Sequence, residues 1–483
     1  MAYAYVLFPG RHHLLTRFQA AYLERAVAVG VPDTTGEQAD CRGAQIVFAV
    51  TSADHGTTRR NPLPAHRREA QIERYAALSA MDCLVFPVDD VPQTERFAEY
   101  VLAAIAVQEG PELTPENAVV ACSTPAVIAL FEALGFRILP VELDQDVQRP
   151  WDVLETLVAG QATRAMHPAS AQLWERYGLL EQVRRAHADP LLTDEGELTE
   201  TRDYNTYARA FDTGAARKWE QLREVVRPGR VVDVGCGVGS LLHEIAADPA
   251  FAESDLYGIE AARPLYDECV HRRGQGAFEN PNTFFFQRTI GQGALFPPAS
   301  VDTTLTVALC HELYSYLGEA TLRGFMAATR EHTVPGGVWV DLDVCGPADG
   351  ERVIWMEMHD GRESWERFVA DWIPERIAYE LHEERYVETK LRWAMEWLSK
   401  KDYTDNWESE MHEAFCFWSY ADRAAAVREA GWEIAPGSHG FTNPWLVEHR
   451  FAPVATLRPA GEREAALPWP DTHVRLVARR PAA

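Results

Sequence analysis

Arg230-Val231-Val232-Asp233-Val234-Gly235-Cys236-Gly237-Val238-Gly239-Ser240 decides the fold of this chain. Its first five residues are largely β-branched, the composition of a short buried strand. Three glycines follow at alternate positions. Leu241-Leu242-His243-Glu244-Ile245-Ala246 then sets apolar side chains on one face of a helix. Strand, glycine turn and helix open a nucleotide-binding α/β unit. Without side chains the backbone passes close to a ligand, and the helix start offers free N–H groups.

A dinucleotide turn reads G-x-G-x-x-G and seats a pyrophosphate. This chain has Asp233-x-Gly235-x-Gly237-x-Gly239, with an acid inside the strand. An acid there suits a cation and repels a pyrophosphate. The stretch resembles motif I of the class I S-adenosylmethionine (SAM) methyltransferases, whose ligand is a cationic sulfonium with an amino-acid tail. The resemblance implies SAM as cofactor, held around Asp233, Gly235, Cys236, Gly237 and Gly239. It also implies that Glu260, ending the strand Leu256 to Glu260, bonds both ribose hydroxyls, since a carboxylate accepts two donors. Ala261 would sit beside the adenine.

A third strand runs from Thr283 to Thr289. The acid that the family commonly places there for the adenine amino group is absent. Thr289 and Ile290 are left to contact the base. Val301 to Leu309 reads as the fourth strand, with Leu309 at the cofactor edge. Upstream, Tyr204, Tyr207 and Phe211 share a helix face. The resemblance makes that stripe a helix folding over SAM; the residues alone equally read as core packing.

Beyond the fourth strand come Cys310-His311-Glu312-Leu313-Tyr314-Ser315-Tyr316. Ligands in such sheets bind past the carboxyl ends of the strands. Methyl transfer needs an aligned nucleophile and, where it carries a proton, a base. His311 is the expected base, with Glu312 or Tyr314 orienting it or the substrate; the alternative is that His311 only caps the helix or packs on SAM. Pro335-Gly336-Gly337 precedes a fifth strand in which Asp341 and Asp343 share a face. Two acids do not specify a metal site, and none is assigned.

Residues 350–416 read as an insertion rich in Trp and in both charges, with Ile377 to Lys400 helical by period. It is expected to be a lid that shapes substrate choice, or else a helical cap or homodimer contact. Trp432-Glu433-Ile434 and Thr472 to Ala478 are expected to close the sheet as an antiparallel pair.

The first 160 residues alternate strands and helices, a doubly wound pattern. Phe8-Pro9-Gly10-Arg11-His12-His13, Thr51-Ser52-Ala53-Asp54 with Asn61-Pro62 and Arg68, and Ser123-Thr124-Pro125 with Leu134-Gly135-Phe136 come in order. Together they resemble nicotinamide mononucleotide adenylyltransferase within the nucleotidyltransferase superfamily. That family catalyses with H/T-x-G-H, and the matching residues here are Thr16-Arg17-Phe18-Gln19. Its later I-S-x-T-x-x-R motif is replaced by Pro150 to Thr156. Phosphoryl transfer depends on such positioned donors and charge, so the domain reads as degenerate. His12 and His13 are candidate stand-ins. Arg59, Arg60, Arg67 and Arg68 form a basic cluster that either holds a phosphate or is a solvated face.

With 483 residues the chain is too long for one core. A net charge of −26 argues against general nucleic-acid binding and against anionic membranes. Eight cysteines without C-x-x-C spacing read as buried thiols in a reducing compartment. The start, Met1-Ala2-Tyr3-Ala4-Tyr5, lacks the basic start of a signal peptide, which predicts a cytoplasmic protein.

The expected fold class is α/β, with two doubly wound Rossmann-like domains. Residues 1–165 form the nucleotidyltransferase-like domain, 166–200 a helical connector and 201–483 a seven-stranded methyltransferase domain with a helical insertion. The expected function is methyl transfer to a small-molecule metabolite, nucleotide-linked or phosphate-bearing, in specialised biosynthesis. A bifunctional nucleotidyltransferase/methyltransferase and a non-catalytic SAM or nucleotide sensor are the alternatives.

Overall fold

A computed structural model describes residues 2–141, 149–188, 214–288, 295–403 and 406–482. They divide into two compact units. The first runs through the helix Leu179–Ala188, and the second takes in the described residues from 214 onward.

Five parallel strands form the first unit's sheet. Their order is Cys83–Val88, Gln45–Thr51, Tyr5–Gly10, Ala118–Ala121, Ile138–Leu139. The order reverses at the first strand in sequence, as in a doubly wound fold. Central strands are apolar along their whole length because helices cover both faces. Val6, Phe8, Ile46 and Phe48 pack on one side, and Leu7, Val47 and Ala49 on the other.

The first long helix, Arg17–Val29, is capped by Thr16. Its hydroxyl accepts the Gln19 N–H at 3.1 Å, and the Gln19 side chain accepts the Thr16 N–H at 3.1 Å. That reciprocal cap satisfies two otherwise unpaired donors.

The stretch from residue 166 was expected to be a connector, and its described part is instead built into this unit. The helices Pro168–Tyr177 and Leu179–Ala188 contribute Trp174, Leu179 and Val183 to a cluster with Leu14, Leu63 and Leu154. The Trp174 indole donates to Gln71 Oε1 at 3.1 Å, and Ser170 accepts the Leu15 N–H at 2.9 Å.

The second unit is a mixed sheet. Its order is Thr283–Gln287, Asp255–Glu260, Arg230–Val234, Val301–Val307, Thr333–Val344, His473–Arg479, Glu433–Ile434. The first five are parallel. His473–Arg479 runs antiparallel to Thr333–Val344 and pairs with Glu433–Ile434, the closing pair expected from sequence. His439–Phe441 also pairs with His473–Arg479, making eight strands where seven were expected.

The insertion is not helical throughout. Val353–Met358, Glu380–His382, Tyr386–Lys390 and Ala455–Pro459 make a four-stranded antiparallel sheet. Within the stretch read as one helix, only Leu391–Lys400 is helical. The periodicity misled because alternating positions such as Tyr386 and Glu388 obey the two-residue period of strand pairing once Val353–Met358 lies alongside. Trp365, Trp372, Trp393, Trp397 and Trp407 are buried together as this subdomain's own core. Trp393 and Trp407 donate their indole N–H groups to Glu375 and Asp371 at 2.9 and 2.8 Å, the partners that buried indoles require.

Candidate functional site

The glycine turn begins where Arg230–Val234 ends. Gly235, Gly237 and Gly239 have φ of 70°, 57° and 77°, all left-handed. Other residues pay about 1–2 kcal/mol each for that conformation. A Cβ at Gly235 would also stand 2.9 Å from Leu309 Cδ1. Gly239 leads directly into the helix Ser240–Ala246.

Around the turn is a pocket lined by Ala215, Lys218, Asp233, Gly235, Cys236, Ser240, Leu241 and Val307. Asp233 is buried, and burial pushes its carboxyl up to about 7 against the pull of Lys218. Burial also lowers the Lys218 ammonium, with Asp233 opposing that shift. One acid and one amine therefore face a single cavity. That is the complement of a zwitterion, and an amino-acid tail has both charges. Lys218 was missed from sequence because a lone lysine on a helix reads as a solvated face.

Cys236 lines the pocket, but its sulfur also packs toward Gly258, at 2.8 Å from where a Cβ of that glycine would be.

Glu260 ends its strand as expected, and it is already well bonded. Oε1 accepts the N–H groups of Ala261 and Ala262 at 2.8 and 2.9 Å, and Oε2 accepts Gly237 N–H at 2.9 Å. A carboxylate has about four lone-pair sites, so one remains, on Oε2. Burial raises Glu260 to about 7 despite those three donors. Ala261 is half-buried beside it. Thr289, Ile290, Tyr204, Tyr207 and Phe211 lie outside the described residues.

Leu309 and the start of the helix Cys310–His332 form the neighbouring corner. His311 is buried, and its Nδ1 lies 2.7 Å from Asp343 Oδ1. Its backbone N–H donates to Asp343 Oδ2 at 2.9 Å. On the other side of the ring, Nε2 faces Glu413 Oε2 at 3.5 Å. Burial opposes charge on this imidazole, but Asp343 and Glu413 hold its pKa well above the ordinary value. His311 was the expected base; both of its ring nitrogens face carboxylates, Asp343 on one side and Glu413 on the other.

Arg423 completes the network. Its Nη1 donates to Asp341 Oδ2 at 2.5 Å and lies 3.3 Å from Asp343 Oδ2, and its Nη2 donates to the Val344 carbonyl at 3.0 Å. Burial alone would raise Asp343, yet His311 and Arg423 hold its carboxyl below the usual range.

The end of the insertion packs on this corner. Tyr314 stacks on Phe417 with ring centroids 4.3 Å apart, and Phe415 sits edge-on to His311 at 5.0 Å. Tyr316 donates to Glu413 Oε1 at 3.0 Å, and Ser315 Oγ accepts the Ala414 N–H at 2.8 Å. Glu312 is half-buried, and its charge bears on Glu260. Glu413 and Arg423 were not picked from sequence, and Asp343 was noted only as one of two acids that could bind substrate or a metal. Each lies far along the chain from His311, and no spacing links them.

The first unit's motif-bearing loops behave differently. His12 and His13 are both buried; burial lowers His12 to about 4 and takes His13 well below the ordinary value. Neutral rings are poor stand-ins for phosphate-binding cations. Arg68 leaves the basic cluster altogether. It is fully buried and donates to the carbonyls of Arg11, Thr51, Ser52 and His55 at 2.6–3.2 Å. Arg67 lies over the Tyr177 ring at 3.7 Å. Pro150 to Thr156, where the triphosphate motif was sought, lies within the helix Pro150–Val158.

No family model matches the chain, and no curated protein matches it. Several solved structures are similar. A SAM-dependent methyltransferase from Mesorhizobium loti is 15% identical, covering 56% of this chain and 99% of its own, with a TM-score of 0.34. One from Clostridium acetobutylicum is 12% identical over 58% of this chain and 100% of its own, with a TM-score of 0.32. One from Aquifex aeolicus is 11% identical over 58% and 99%, with a TM-score of 0.31. The functional reading rests on the residues of the site. No helix among the described residues is long and apolar enough to cross a membrane.

Proposed function

We propose that the second unit is a SAM-dependent methyltransferase acting on a small-molecule acceptor. The observation that carries this reading is the pairing of Asp233 and Lys218 on one cavity beside the left-handed glycine turn. When bound, SAM supplies a methyl group activated on a sulfonium. Asp233 would hold the ammonium of its tail and Lys218 the carboxylate. Glu260 would accept one ribose hydroxyl through its remaining lone pair. Gly235, Gly237 and Gly239 keep the wall free of side chains. Leu309 closes the turn from the far side.

The acceptor would lie against His311, Glu312 and Tyr314, past the carboxyl end of Val301–Val307. His311, fixed by Asp343, would orient the acceptor there. The first unit would be a nucleotidyltransferase-like domain that keeps the fold without the catalysis. Its Thr16 and Gln19 are engaged in capping a helix where the family has catalytic groups.

Calorimetric titration with SAM and S-adenosylhomocysteine tests the reading. One site per chain is expected, weakened about tenfold or more by Lys218→Met, as expected when a charge-assisted bond of about 1.5–3 kcal/mol is lost. Absence of heat with both ligands would overturn it. Pyrophosphate release from ATP or CTP, with a panel of phosphorylated acceptors, would instead favour a bifunctional enzyme.

A further inference from the structure

His311, Glu312 and Glu413 bring three ligand atoms within 4.8 Å of one another. They come from two separate segments, the start of the helix Cys310–His332 and the end of the insertion. We propose that His311 Nε2 and the carboxylates of Glu312 and Glu413 form a binding site for a divalent transition cation.

The spacing fits an ion. Two ligand atoms each about 2.1 Å from a metal stand about 3.4 Å apart at the tetrahedral angle. His311 Nε2 and Glu413 Oε2 are 3.5 Å apart. A charge-assisted hydrogen bond would draw such a pair to about 2.7–2.9 Å. The pair is thus held at the separation of two ligands on one ion, wider than a tight hydrogen bond.

The surroundings fit as well. A metal-ligating histidine usually gives its other ring N–H to a carboxylate, which fixes the tautomer and aims the free nitrogen. Asp343 does this for His311 at 2.7 Å, from a fully buried position. Tyr316 similarly holds the second oxygen of Glu413 at 3.0 Å. His311 and Glu413 are both more than nine-tenths buried, and Phe415 covers the ring edge. Two cations of the described residues near the site have carboxylates of their own. Arg423 sits on Asp341 and Asp343, and Lys400 sits on Glu410. The ion would displace the proton from Nε2, and a dication with two carboxylates and the resulting neutral imidazole is electrically balanced.

A second group of candidate ligands, Cys310, Asp341 and Asp343, lies close by. Arg423 already supplies its positive charge, at 2.5 Å from Asp341. That group is therefore not the site. The donor set also selects the ion. One imidazole with two carboxylates suits Mn²⁺, Fe²⁺, Co²⁺ or Zn²⁺ and disfavours Ca²⁺, which takes oxygen ligands. Three protein ligands leave coordination positions open, which suits an acceptor with an oxygen donor.

The test titrates Mn²⁺ and Zn²⁺ into the chelator-treated full chain, with Ca²⁺ as control. Calorimetry and water-proton relaxation by Mn²⁺ are the readouts, with no methyl donor present. One Zn²⁺ or Mn²⁺ per chain is expected, with Ca²⁺ at least tenfold weaker. Glu413→Gln and Glu312→Gln, both close in shape to the native residues, should each weaken binding by tenfold or more. Cys310→Ala should leave it unchanged. Circular dichroism confirms that each variant is folded, and the wild-type titration decides the matter if one is not. No binding to the wild-type chain would mean a buried ion-pair network only. Unchanged affinity in both glutamine variants, or loss with Cys310→Ala alone, would equally overturn the site. Because no SAM is added, failure here is distinct from failure of the methyltransferase reading.

Discussion

Asp343 holds His311 by both ends: Oδ1 meets the ring Nδ1 at 2.7 Å, and Oδ2 accepts the backbone N–H at 2.9 Å. The same carboxylate lies 3.3 Å from Arg423. A buried pair that loses one partner leaves an uncompensated charge, which costs about 3–5 kcal/mol. Arg423→Ala should therefore destabilise the second unit by about that amount in a urea titration. Arg423→Lys keeps the charge but not the planar fork, and should recover only part of it.

Asp233 offers a pH test. Burial raises its carboxyl to about 7, so it is mostly protonated at pH 6 and mostly ionised at pH 8. A cationic ligand pairs with the ionised form. The fraction ionised rises about tenfold between those two pH values, and the affinity for SAM should rise with it. Asp233→Asn should bind weakly and flatten the profile. In the free protein the sign is opposite. The folded state keeps this proton where the unfolded chain has lost it, so the Asp233 contribution makes stability fall as pH rises from the unfolded value through about 7. Thermal melts across that range, with and without ligand, separate the two effects.

Gly235→Ala meets two obstacles. The left-handed backbone costs about 1–2 kcal/mol. The new Cβ also stands 2.9 Å from Leu309 Cδ1. Leu309→Ala removes the second obstacle and not the first. The cost of Gly235→Ala should thus be smaller in the Leu309→Ala background, and a double-mutant cycle on urea midpoints measures the difference.

Trp174 tests where the first unit ends. Its ring is 5% exposed, and its indole donates to Gln71. Trp174→Ala should lower the first unit's stability by about 3–5 kcal/mol, with S-adenosylhomocysteine affinity unchanged. A connector residue would change neither in scanning calorimetry.

Local chemistry was readable from the chain alone. Asp233 to Gly239 could be placed because strand, turn and helix are set by neighbours in sequence: β-branched residues, then residues that tolerate positive φ. The strand ending at Glu260, the parallel alternation of both units and the closing antiparallel pair followed from the same short-range patterns. The insertion was misread because Glu380–His382 and Tyr386–Lys390 are strands only through pairing with Val353–Met358. No local property of a charged segment reports its partner.

The site was divided in the same way. Sequence supplied the glycine turn, Glu260 and His311, each next to a recognisable element. Only the tertiary structure joined His311 to Asp343, Asp343 to Arg423 and Tyr316 to Glu413, contacts that span 32, 80 and 97 positions. It also set Lys218 opposite Asp233 and withdrew Arg68 from the basic cluster. The physical reason is that charge and proton affinity inside a protein depend on burial and on which groups meet there. Both are properties of the packed molecule, and sequence spacing encodes neither.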